Sequence, residues 1–371
     1  MSEPTAPAPS TQTVSVIVPV YNAERYLDQA LRSLEGQTHR ELQIICVNDG
    51  STDGSPAILR GHAAADPRIE VVDQANAGYG AAMNAGLARA RGSWVAILEP
   101  DDWLDAGAFA DMLACAQRHQ AAGPVDIVKT PYWVVRDPDT PRQQMLPCSY
   151  ARRVRPRRQP FAIAEAPELI AHHPSIWSAI YRTAFLREAG IRFEEIPGAG
   201  WADNPFMIET LCRARAICYL PRAYYRYREE TSEKAAALSR RSPLLPLERW
   251  HDMADVLDRL GEREPVIWRE MVYRGFTYLG ISLGGRTWDE APAEVRREAS
   301  RMFHRMDPAL VWGDARVTVA DKELFARVRG IEAPRLSPWP YRWRLVREAL
   351  YSAASRGPRA TLRMVARYLG R

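Results

Sequence analysis

Short apolar runs alternate with helix-periodic segments along the first 130 residues of the chain. The apolar runs are short and rich in β-branched residues, which is typical of buried strands. The predicted strands cover residues 14–20, 42–47, 69–72, 94–98 and 125–130. The predicted helices between them cover about residues 24–34, 55–65, 80–91 and 106–120. Alternating strands and helices predict an α/β fold, in which helices flank a mostly parallel sheet joined by right-handed crossovers.

The pattern changes twice further along the chain. Residues 136–160 are rich in Pro and Arg and predict a loop or hairpin, followed by a strand at 175–181 and a helix at 204–212. From about residue 242 only helical spacing remains, over residues 244–260, 266–283 and 292–306. We therefore predict a domain change near residue 240. The predicted division is a disordered N-terminus at 1–13, an α/β domain at 14–240, a helical domain at 241–336 and a basic amphipathic tail at 337–371.

Composition is ordinary for a soluble globular protein, with 46% hydrophobic and 26% charged residues. The formal net charge is +5, but residues 338–371 contain eight Arg and one Glu, so the rest of the chain is near neutral. A near-neutral body argues against nucleic-acid binding. The five Cys are scattered without a CxxC pair, which fits a reducing compartment. Cys46 and Cys115 lie inside apolar patterns and are expected to be buried thiols. The N-terminus does not resemble a signal peptide, and no run is apolar enough to cross a bilayer.

The fourth predicted strand ends in three carboxylates, Glu99, Asp101 and Asp102. Pro100 has no N–H to offer a sheet, so the chain leaves the strand at this point. Glu99 and Asp101 are spaced to direct oxygens at one hard cation, and Mg²⁺ or Mn²⁺ commonly joins carboxylates to a diphosphate. The alternative interpretation is that Asp102 or Asp105 caps the following helix.

Three of the predicted strands end in residues that suit a nucleotide. Ligands of open α/β sheets bind at the carboxyl ends of the strands, where Tyr21, Asp49, Glu99 and Asp101 would line one crevice. The carboxylate of Asp49 can accept the imide N–H of a uracil. An Asp within Asn-Asp-Gly-Ser is also a common cap or turn residue, and that alternative stays open.

Four ordered sequence blocks lie within the first 104 residues. They are Val16-Ile-Val-Pro-Val-Tyr-Asn22, Val47-Asn-Asp-Gly-Ser-Thr-Asp-Gly54, Asn76-Ala-Gly-Tyr-Gly-Ala-Ala-Met-Asn-Ala-Gly86 and Ile97-Leu-Glu-Pro-Asp-Asp-Trp-Leu104. Together they resemble the family 2 glycosyltransferases of the GT-A fold, which transfer a sugar from a nucleotide sugar with inversion. The resemblance covers residues 14–110 well and continues weakly to about residue 230.

The resemblance implies roles for individual residues. A Mn²⁺ or Mg²⁺ ion would bind Asp101 and Glu99, where Glu99 keeps the charge of the family's first Asp but has a longer reach. A nucleotide-sugar donor, by default a UDP-sugar because Asp49 suits uracil, would be the main partner. The residues implied in donor binding are Pro19, Tyr21, Glu24, Asp49, Asn76, Gly78, Asn84 and Asp101. The acceptor would be a hydroxyl of a glycan or lipid-linked molecule in cell-surface polysaccharide synthesis.

The resemblance also implies a general base. Asp203 follows a Gly-rich segment in the region where these enzymes place an acidic base, although Ala202 stands where Glu or Gln is usual. One such base is enough for inversion, because it removes the proton of the acceptor hydroxyl as the oxygen attacks. The alternative is that Asp203 caps a helix that starts at Pro205.

Two functions of other kinds stay open at this point. The Gly-rich turn at residues 78–83 would suit a nicotinamide-dependent oxidoreductase, but its third Gly is replaced by Met83 and it follows the third strand instead of the first. The second is a non-catalytic nucleotide-binding scaffold with the same fold. Absence of the metal and base carboxylates would favour this function, but those carboxylates are present.

The tail has an amphipathic pattern. Apolar residues recur at helical spacing from Trp339 to Leu350, and Gly357-Pro358 separates them from a second predicted helix with Arg359, Arg363 and Arg367 on one face. This pattern predicts a helix in a membrane interface, and the alternative is packing on the body of the protein. The expected location is the cytoplasm, with peripheral attachment at the inner face of the cell membrane if the tail binds lipid.

Overall fold

A computed structural model describes residues 12–196, 200–229, 242–356 and 361–362. The strands are β1 (Val14–Val20), β2 (Leu42–Asp49), β3 (Ile69–Gln74), β4 (Trp94–Ile97), β5 (Trp103–Leu104), β6 (Ile127–Lys129), β7 (Tyr132–Arg136), β8 (Gln144–Pro147), β9 (Ala179–Arg182), β10 (Ile217–Tyr219) and β11 (Tyr225–Glu229). The helices are α1 (Glu24–Glu35), α2 (Ser55–Ala65), α3 (Tyr79–Arg89), α4 (Ala108–His119), α5 (Glu168–Ala171), α6 (Thr183–Glu188), α7 (Asp203–Arg213), α8 (Leu245–Leu260), α9 (Pro265–Leu283), α10 (Ala293–Arg305), α11 (Pro308–Gly313), α12 (Val319–Arg329) and α13 (Trp339–Arg356).

The chain divides into two compact units. Unit 1 takes Met1–Thr130, Ile176–Ala199 and Ala214–Arg226, and unit 2 takes Pro131–Ser175, Gly200–Arg213 and Tyr227–Arg371. This division does not follow the predicted one, because segments near residues 131–175 and 200–213 pack with the C-terminal helices. The predicted boundary near residue 240 falls outside the described residues and stays a prediction.

Unit 1 is built on a seven-stranded sheet in the order β10-β6-β9-β4-β1-β2-β3. Every residue of β1 and β2 is buried, as expected for central strands covered on both faces. β9 runs antiparallel to both β4 and β6, and the other described neighbours are parallel. The predicted α/β architecture is confirmed, with β9 as an antiparallel member.

The β1–β4 ladder stops where the site begins. Its last bond runs from the N–H of Leu98 to the carbonyl of Ile17 at 3.0 Å. Pro19, two residues later, has no N–H to continue the ladder. The pairing of β1 with β4 therefore ends before the carboxyl end of β1.

Unit 2 combines the antiparallel β7–β8 hairpin with a helical core. Trp250 of α8 is fully buried and donates from Nε1 to the carbonyl of Met271 in α9 at 2.8 Å. Gly275 allows this close approach, since an added Cβ would lie 3.0 Å from Trp250 Nε1. Helices α8 to α10 match the predicted ones closely, while α11 and α12 were not predicted. No helix among the described residues is both long and apolar enough to span a membrane.

Candidate active site

The carboxyl ends of β1, β2 and β4 lie side by side in unit 1. The chain order reverses at β1, because β2 and β3 lie on one side of it and β4 on the other. Such a reversal creates a crevice at the strand ends. Tyr21 follows β1 with 54% of its surface exposed, Asp49 is the last residue of β2, and Glu99 follows β4. The predicted crevice residues of unit 1 therefore share one edge of the sheet.

Asp49 holds the loop that follows β3. Its Oδ1 accepts hydrogen bonds from Gln74 Nε2 at 2.8 Å and from the N–H of Ala77 at 2.9 Å. Its Oδ2 accepts from the N–H of Gly78 at 2.9 Å. Gly78 has a φ of 92°, which favours glycine. Asp49 is thus a buried anchor for the loop that carries Asn76 and Gly78, and its contact with uracil stays a prediction.

Glu24 joins the start of α1 to the loop after β2. Its Oε2 accepts from the N–H of Gly54 at 2.6 Å, and its own N–H donates to Asp53 Oδ2 at 3.0 Å. Asn22 adds a third link, because its Oδ1 accepts from the N–H of Thr52 at 2.8 Å. These bonds fix the rim of the crevice beside Pro19 and Tyr21.

The loop after β4, residues 99–102, carries Glu99, Asp101 and Asp102 and is called the acidic loop. It is held by two tyrosine hydroxyls. Tyr79 donates to Glu99 Oε1 at 2.7 Å. Tyr225 accepts from the N–H of Glu99 at 3.1 Å and donates to Asp102 Oδ2 at 2.8 Å. Burial raises the pKa of Tyr225, so its hydroxyl remains a donor. The Trp177 ring stacks on Tyr225 with centroids 3.9 Å apart.

Asp102 therefore anchors the loop. It is 1% exposed, and the cap position of α4 is taken by Gly107 without a side-chain hydrogen bond. Asp105 does not cap α4 through its side chain either, because its carboxylate accepts from Arg226 Nε at 2.7 Å. The capping alternative for the acidic loop is wrong.

Glu99 and Asp101 fit a hard divalent cation by the chemistry of their donor atoms. Both present carboxylate oxygens, which Mg²⁺ and Mn²⁺ prefer. Asp101 is exposed to solvent and Glu99 is half-buried. The Tyr79 and Tyr225 bonds position the loop on both sides of Pro100, so the two carboxylates stand on a supported turn at the end of β4.

Asn84 has a different setting from the other predicted donor-binding residues. It is buried in α3, where its Nδ2 donates to Phe193 O and Glu195 Oε1, each at 2.9 Å, and its Oδ1 accepts from the N–H of Phe193 at 2.9 Å. Gly80 in the same helix lies against this segment, since an added Cβ would meet Glu194 O at 2.0 Å. These bonds make Asn84 an anchor for residues 193–195, and its nucleotide contact stays a prediction.

Asp203 begins α7 in unit 2. Burial raises the pKa of Asp203 to about 6, and the nearby charge of Arg274 opposes that rise. The next residue, Asn204, donates to Asp203 Oδ1 at 3.1 Å and accepts from Arg274 and from the Tyr278 hydroxyl, the latter at 2.6 Å. Residues 197–199 of the preceding Gly-rich segment lie outside the described residues. The carboxylate is thus poised to titrate near neutral pH, as a general base requires.

Arg274 organises this end of α7. It is 3% exposed, and its guanidinium also donates to the carbonyls of Ile170 and His172. A buried cation needs several partners, and these carbonyls together with Asn204 provide them. Arg274 therefore fixes α7 relative to α5 within unit 2.

A basic cavity of about 920 Å³ lies elsewhere in unit 2, against α13. Its lining arginines are Arg152, Arg153, Arg155, Arg316, Arg344 and Arg347. Glu348 pairs with Arg153, and Glu168 is the other acidic lining residue, so positive charge is in excess. On α13, Trp339, Trp343, Val346 and Leu350 are each at least 49% exposed at helical spacing.

Several supporting residues could not be found from the sequence. Tyr225 belongs to an alternating Tyr/Arg run, but nothing local connects it with Asp102, which lies 123 positions earlier. Arg274 and Tyr278 lie in a helix whose spacing of apolar residues indicates only that the helix packs on other elements. Tyr79, in contrast, lies next to Gly78 in the third of the four sequence blocks.

Residues 15–187 match the family model described as Glycosyl transferase family 2. The chain is 31% identical over 222 residues to the uncharacterized glycosyltransferase EpsJ of Bacillus subtilis (strain 168), covering 58% of this chain and 61% of EpsJ. The chain therefore spans less than two thirds of that relative's length. The resemblance inferred from the four sequence blocks is confirmed.

Solved structures share the fold at low sequence identity. S. aureus TarS 1–349 in complex with UDP-GlcNAc matches with a TM-score of 0.67 and 22% identity over 92% of both chains. The Pyrobaculum calidifontis mannosyltransferase PcManGT in complex with GDP-Man and Mn²⁺ matches with a TM-score of 0.52 and 19% identity, over 96% of this chain and 90% of that one. These likenesses confirm the predicted GT-A type of α/β fold.

Proposed function

We propose, from the match of residues 15–187 to the model of Glycosyl transferase family 2, that the protein is an inverting, metal-dependent glycosyltransferase. It transfers a sugar from a nucleotide sugar to a hydroxyl of a glycan or lipid-linked acceptor in cell-surface polysaccharide synthesis. The observation that carries this proposal is the single sheet edge that holds Tyr21, Asp49, Glu99 and Asp101. A nicotinamide-dependent oxidoreductase is disfavoured by the family match.

The donor is a UDP-sugar. A carboxylate has about four lone-pair directions, and the bonds described for Asp49 use three of them. The remaining direction at Oδ2 suits the imide N–H of uracil, and exposed Tyr21 offers an aromatic face at the same edge. The UDP-GlcNAc complex of TarS supports a uridine donor.

Asp101 and Glu99 hold the divalent metal. When bound, Mn²⁺ or Mg²⁺ neutralises the charge that develops on the leaving nucleoside diphosphate. Tyr79 orients the Glu99 side chain, while Tyr225 and Asp102 keep the loop in place. The Mn²⁺ complex of PcManGT supports a metal requirement in this fold.

Asp203 is the general base. Its pKa of about 6 leaves it largely ionised at neutral pH and still basic enough to accept the proton of the acceptor hydroxyl. Arg274 favours the ionised form, and Asn204 donates to one carboxylate oxygen. Asp203 is thereby ready to accept a proton while its orientation is fixed.

A donor-hydrolysis and transfer assay tests the proposal. The full chain is incubated with a panel of UDP-, GDP- and dTDP-sugars and Mn²⁺, and release of the nucleoside diphosphate is followed together with the anomeric configuration of the product by NMR. We expect UDP release with inversion. Retention of configuration, or reduction of NAD(P)⁺ without any sugar release, would overturn it.

Helix α13 and the arginine-lined cavity beside it attach the protein to the inner face of the cell membrane from the cytoplasm. The exposed apolar row of α13 is suited to the acyl boundary, and the arginine cavity to anionic headgroups. Each Arg near an anionic surface adds about 1 kcal/mol. The second predicted tail helix lies almost wholly outside the described residues.

Sedimentation with liposomes tests the attachment. The full chain should sediment with anionic vesicles at low salt and stay in solution with neutral ones. The double variant Trp339→Ala/Trp343→Ala should lose sedimentation, whereas Met145→Ala, an exposed apolar residue on β8, serves as the matched control. Equal sedimentation of all three proteins, or none by the wild type, would contradict attachment through α13.

A further inference from the structure

Two cysteines and one histidine that are distant in sequence meet in unit 1. Cys115 and His119 lie one helical turn apart on α4, and Cys218 lies in β10, the strand at one end of the seven-stranded sheet. One ligand atom from each of the three side chains lies within 4.8 Å of the others. The sequence indicates only scattered, buried thiols, because residues 115 and 218 are separated by more than a hundred positions.

The spacing is close to that of a metal site. Tetrahedral zinc has Zn–S distances of about 2.3 Å and Zn–N distances of about 2.0–2.1 Å, so its ligand atoms lie about 3.3–3.8 Å apart. The ligand atoms of Cys115, His119 and Cys218, all within 4.8 Å of one another, are therefore close to this spacing. The i, i+4 placement of Cys115 and His119 puts both on the same face of α4.

The burial and chemistry of the three groups favour a soft cation. Cys115 is 2% exposed and Cys218 is fully buried, whereas His119 is half-buried and gives access from solvent. Thiolate and imidazole ligands select Zn²⁺ over the hard cations that bind carboxylates. Two thiolates would neutralise the charge of one Zn²⁺.

We propose that Cys115, His119 and Cys218 bind one Zn²⁺ ion, with water as the fourth ligand. The ion joins α4 to β10. Both elements are close in the chain to the acidic loop or to its support. Helix α4 begins shortly after Asp105, and the chain after β10 carries Tyr225, whose hydroxyl bonds Glu99 and Asp102. The site is separate from the Asp101 site, and its presence does not depend on the proposed activity.

Metal content and a cobalt spectrum test the site. The full chain, expressed with zinc and dialysed in trace-metal-free buffer, should retain one zinc per chain. Exchange with Co²⁺ should produce a thiolate-to-cobalt charge-transfer band and the intense visible bands of tetrahedral cobalt. Removal of the metal by a strong chelator should lower the melting temperature.

Variants separate this site from other thiols and from the carboxylate site. Cys115→Ser, Cys218→Ser and His119→Gln should each lose zinc, and His119→Gln is the variant best suited to fold because its side chain is half-buried. Cys212→Ser, which changes a half-buried thiol in unit 2, and Asp101→Ala should both retain zinc. A metal-free wild type with an aqueous cobalt spectrum, or a Cys115–Cys218 disulfide in the protein as isolated, would overturn the proposal. Equal zinc retention by His119→Gln and wild type would remove His119 from the ligand set.

Discussion

The acidic loop of unit 1 and the start of α7 in unit 2 present their carboxylates in different environments. Asp101 is exposed to solvent on a turn held through its neighbours by two tyrosine hydroxyls. Burial raises the pKa of Asp203 to about 6, and the nearby charge of Arg274 opposes that rise. An exposed carboxylate offers charged oxygens to a cation, whereas a desolvated one can accept a proton near neutral pH.

The two regions also differ in how their support is assembled. The loop at Glu99 follows a strand end that the local sequence defines, and its supporting hydroxyls hold the backbone. The Asp203 cluster instead draws Arg274 and Tyr278 from a helix about 70 residues later in the chain. We infer that environment, more than residue type, separates the metal-binding role from the proton-accepting role.

The largest effect is expected on turnover, when the proposed base Asp203 is replaced. Asp203→Asn should lower kcat by about 10²–10⁴-fold with donor affinity unchanged, because an amide cannot take a proton. Steady-state kinetics and UDP calorimetry on the same preparation provide the measurement. Glu209→Gln, on the same helix and paired with Arg213 and Arg259, is the matched control and should leave turnover nearly unchanged. Near-native turnover of Asp203→Asn would leave it only a structural role.

Loss of a supporting hydroxyl should have a smaller effect on the other region. Tyr225→Phe removes the bonds to Asp102 and to the N–H of Glu99, so the metal carboxylates lose their support. Groups that orient metal ligands typically change affinity by about 10–100-fold. Mn²⁺ titration of activity should show this loss, while Tyr224→Phe, whose hydroxyl bonds Asp111, should behave like wild type. Equal Mn²⁺ affinity in Tyr225→Phe and wild type would contradict the supporting role.

The pH dependence of kcat/KM and of UDP affinity should also distinguish Asp203 from Asp101. Since the pKa of Asp203 is about 6, kcat/KM should fall by half as the pH is lowered to about 6 and then decline tenfold per pH unit. A profile that is flat down to pH 5 would show that another group accepts the proton. The metal-dependent affinity for UDP should change less over this range, because it depends on the exposed Asp101.

The smallest effect concerns stability. The folded state binds the Asp203 proton more tightly than the unfolded chain, whose ordinary pKa is 3.8, so this group lowers stability as the pH rises from 3.8 to about 6. Asp203→Asn removes this pH-dependent loss of stability. Thermal denaturation should therefore show a higher melting temperature for the variant at pH 8 and no advantage below pH 4. A variant that is less stable than wild type at pH 8 would contradict this sign.

Local signals were enough to predict much of unit 1. The predicted bounds of β1 and α2 coincide with the structure, because a β-branched run and a helix between turn residues are both encoded by neighbouring residues. The end of β4 and its carboxylates were located for the same reason. A strand was predicted at residues 175–181, where β9 overlaps it, but its antiparallel direction was not predicted, since strand direction depends on the path of the chain beyond the strand.

Long-range pairings were beyond the reach of local patterns. Nothing near Asp102 in the sequence indicates Tyr225, and nothing near Cys115 indicates Cys218. The charge of Arg274 would normally place it on a surface, yet it is 3% exposed and donates hydrogen bonds to four acceptors. The role of such residues follows from partners that only the folded chain brings together.

Calorimetric titration of UDP with and without Mn²⁺, on wild type and Asp101→Ala, tests whether the acidic loop binds the metal. We expect Mn²⁺ to strengthen UDP binding to wild type and to have no such effect on Asp101→Ala, because this carboxylate would hold the metal that neutralises the diphosphate. Asp111→Asn, a partly exposed carboxylate in α4, is the matched control and should respond to Mn²⁺ as wild type does. An equal response to Mn²⁺ in Asp101→Ala and wild type, or no UDP binding by either, would contradict the account.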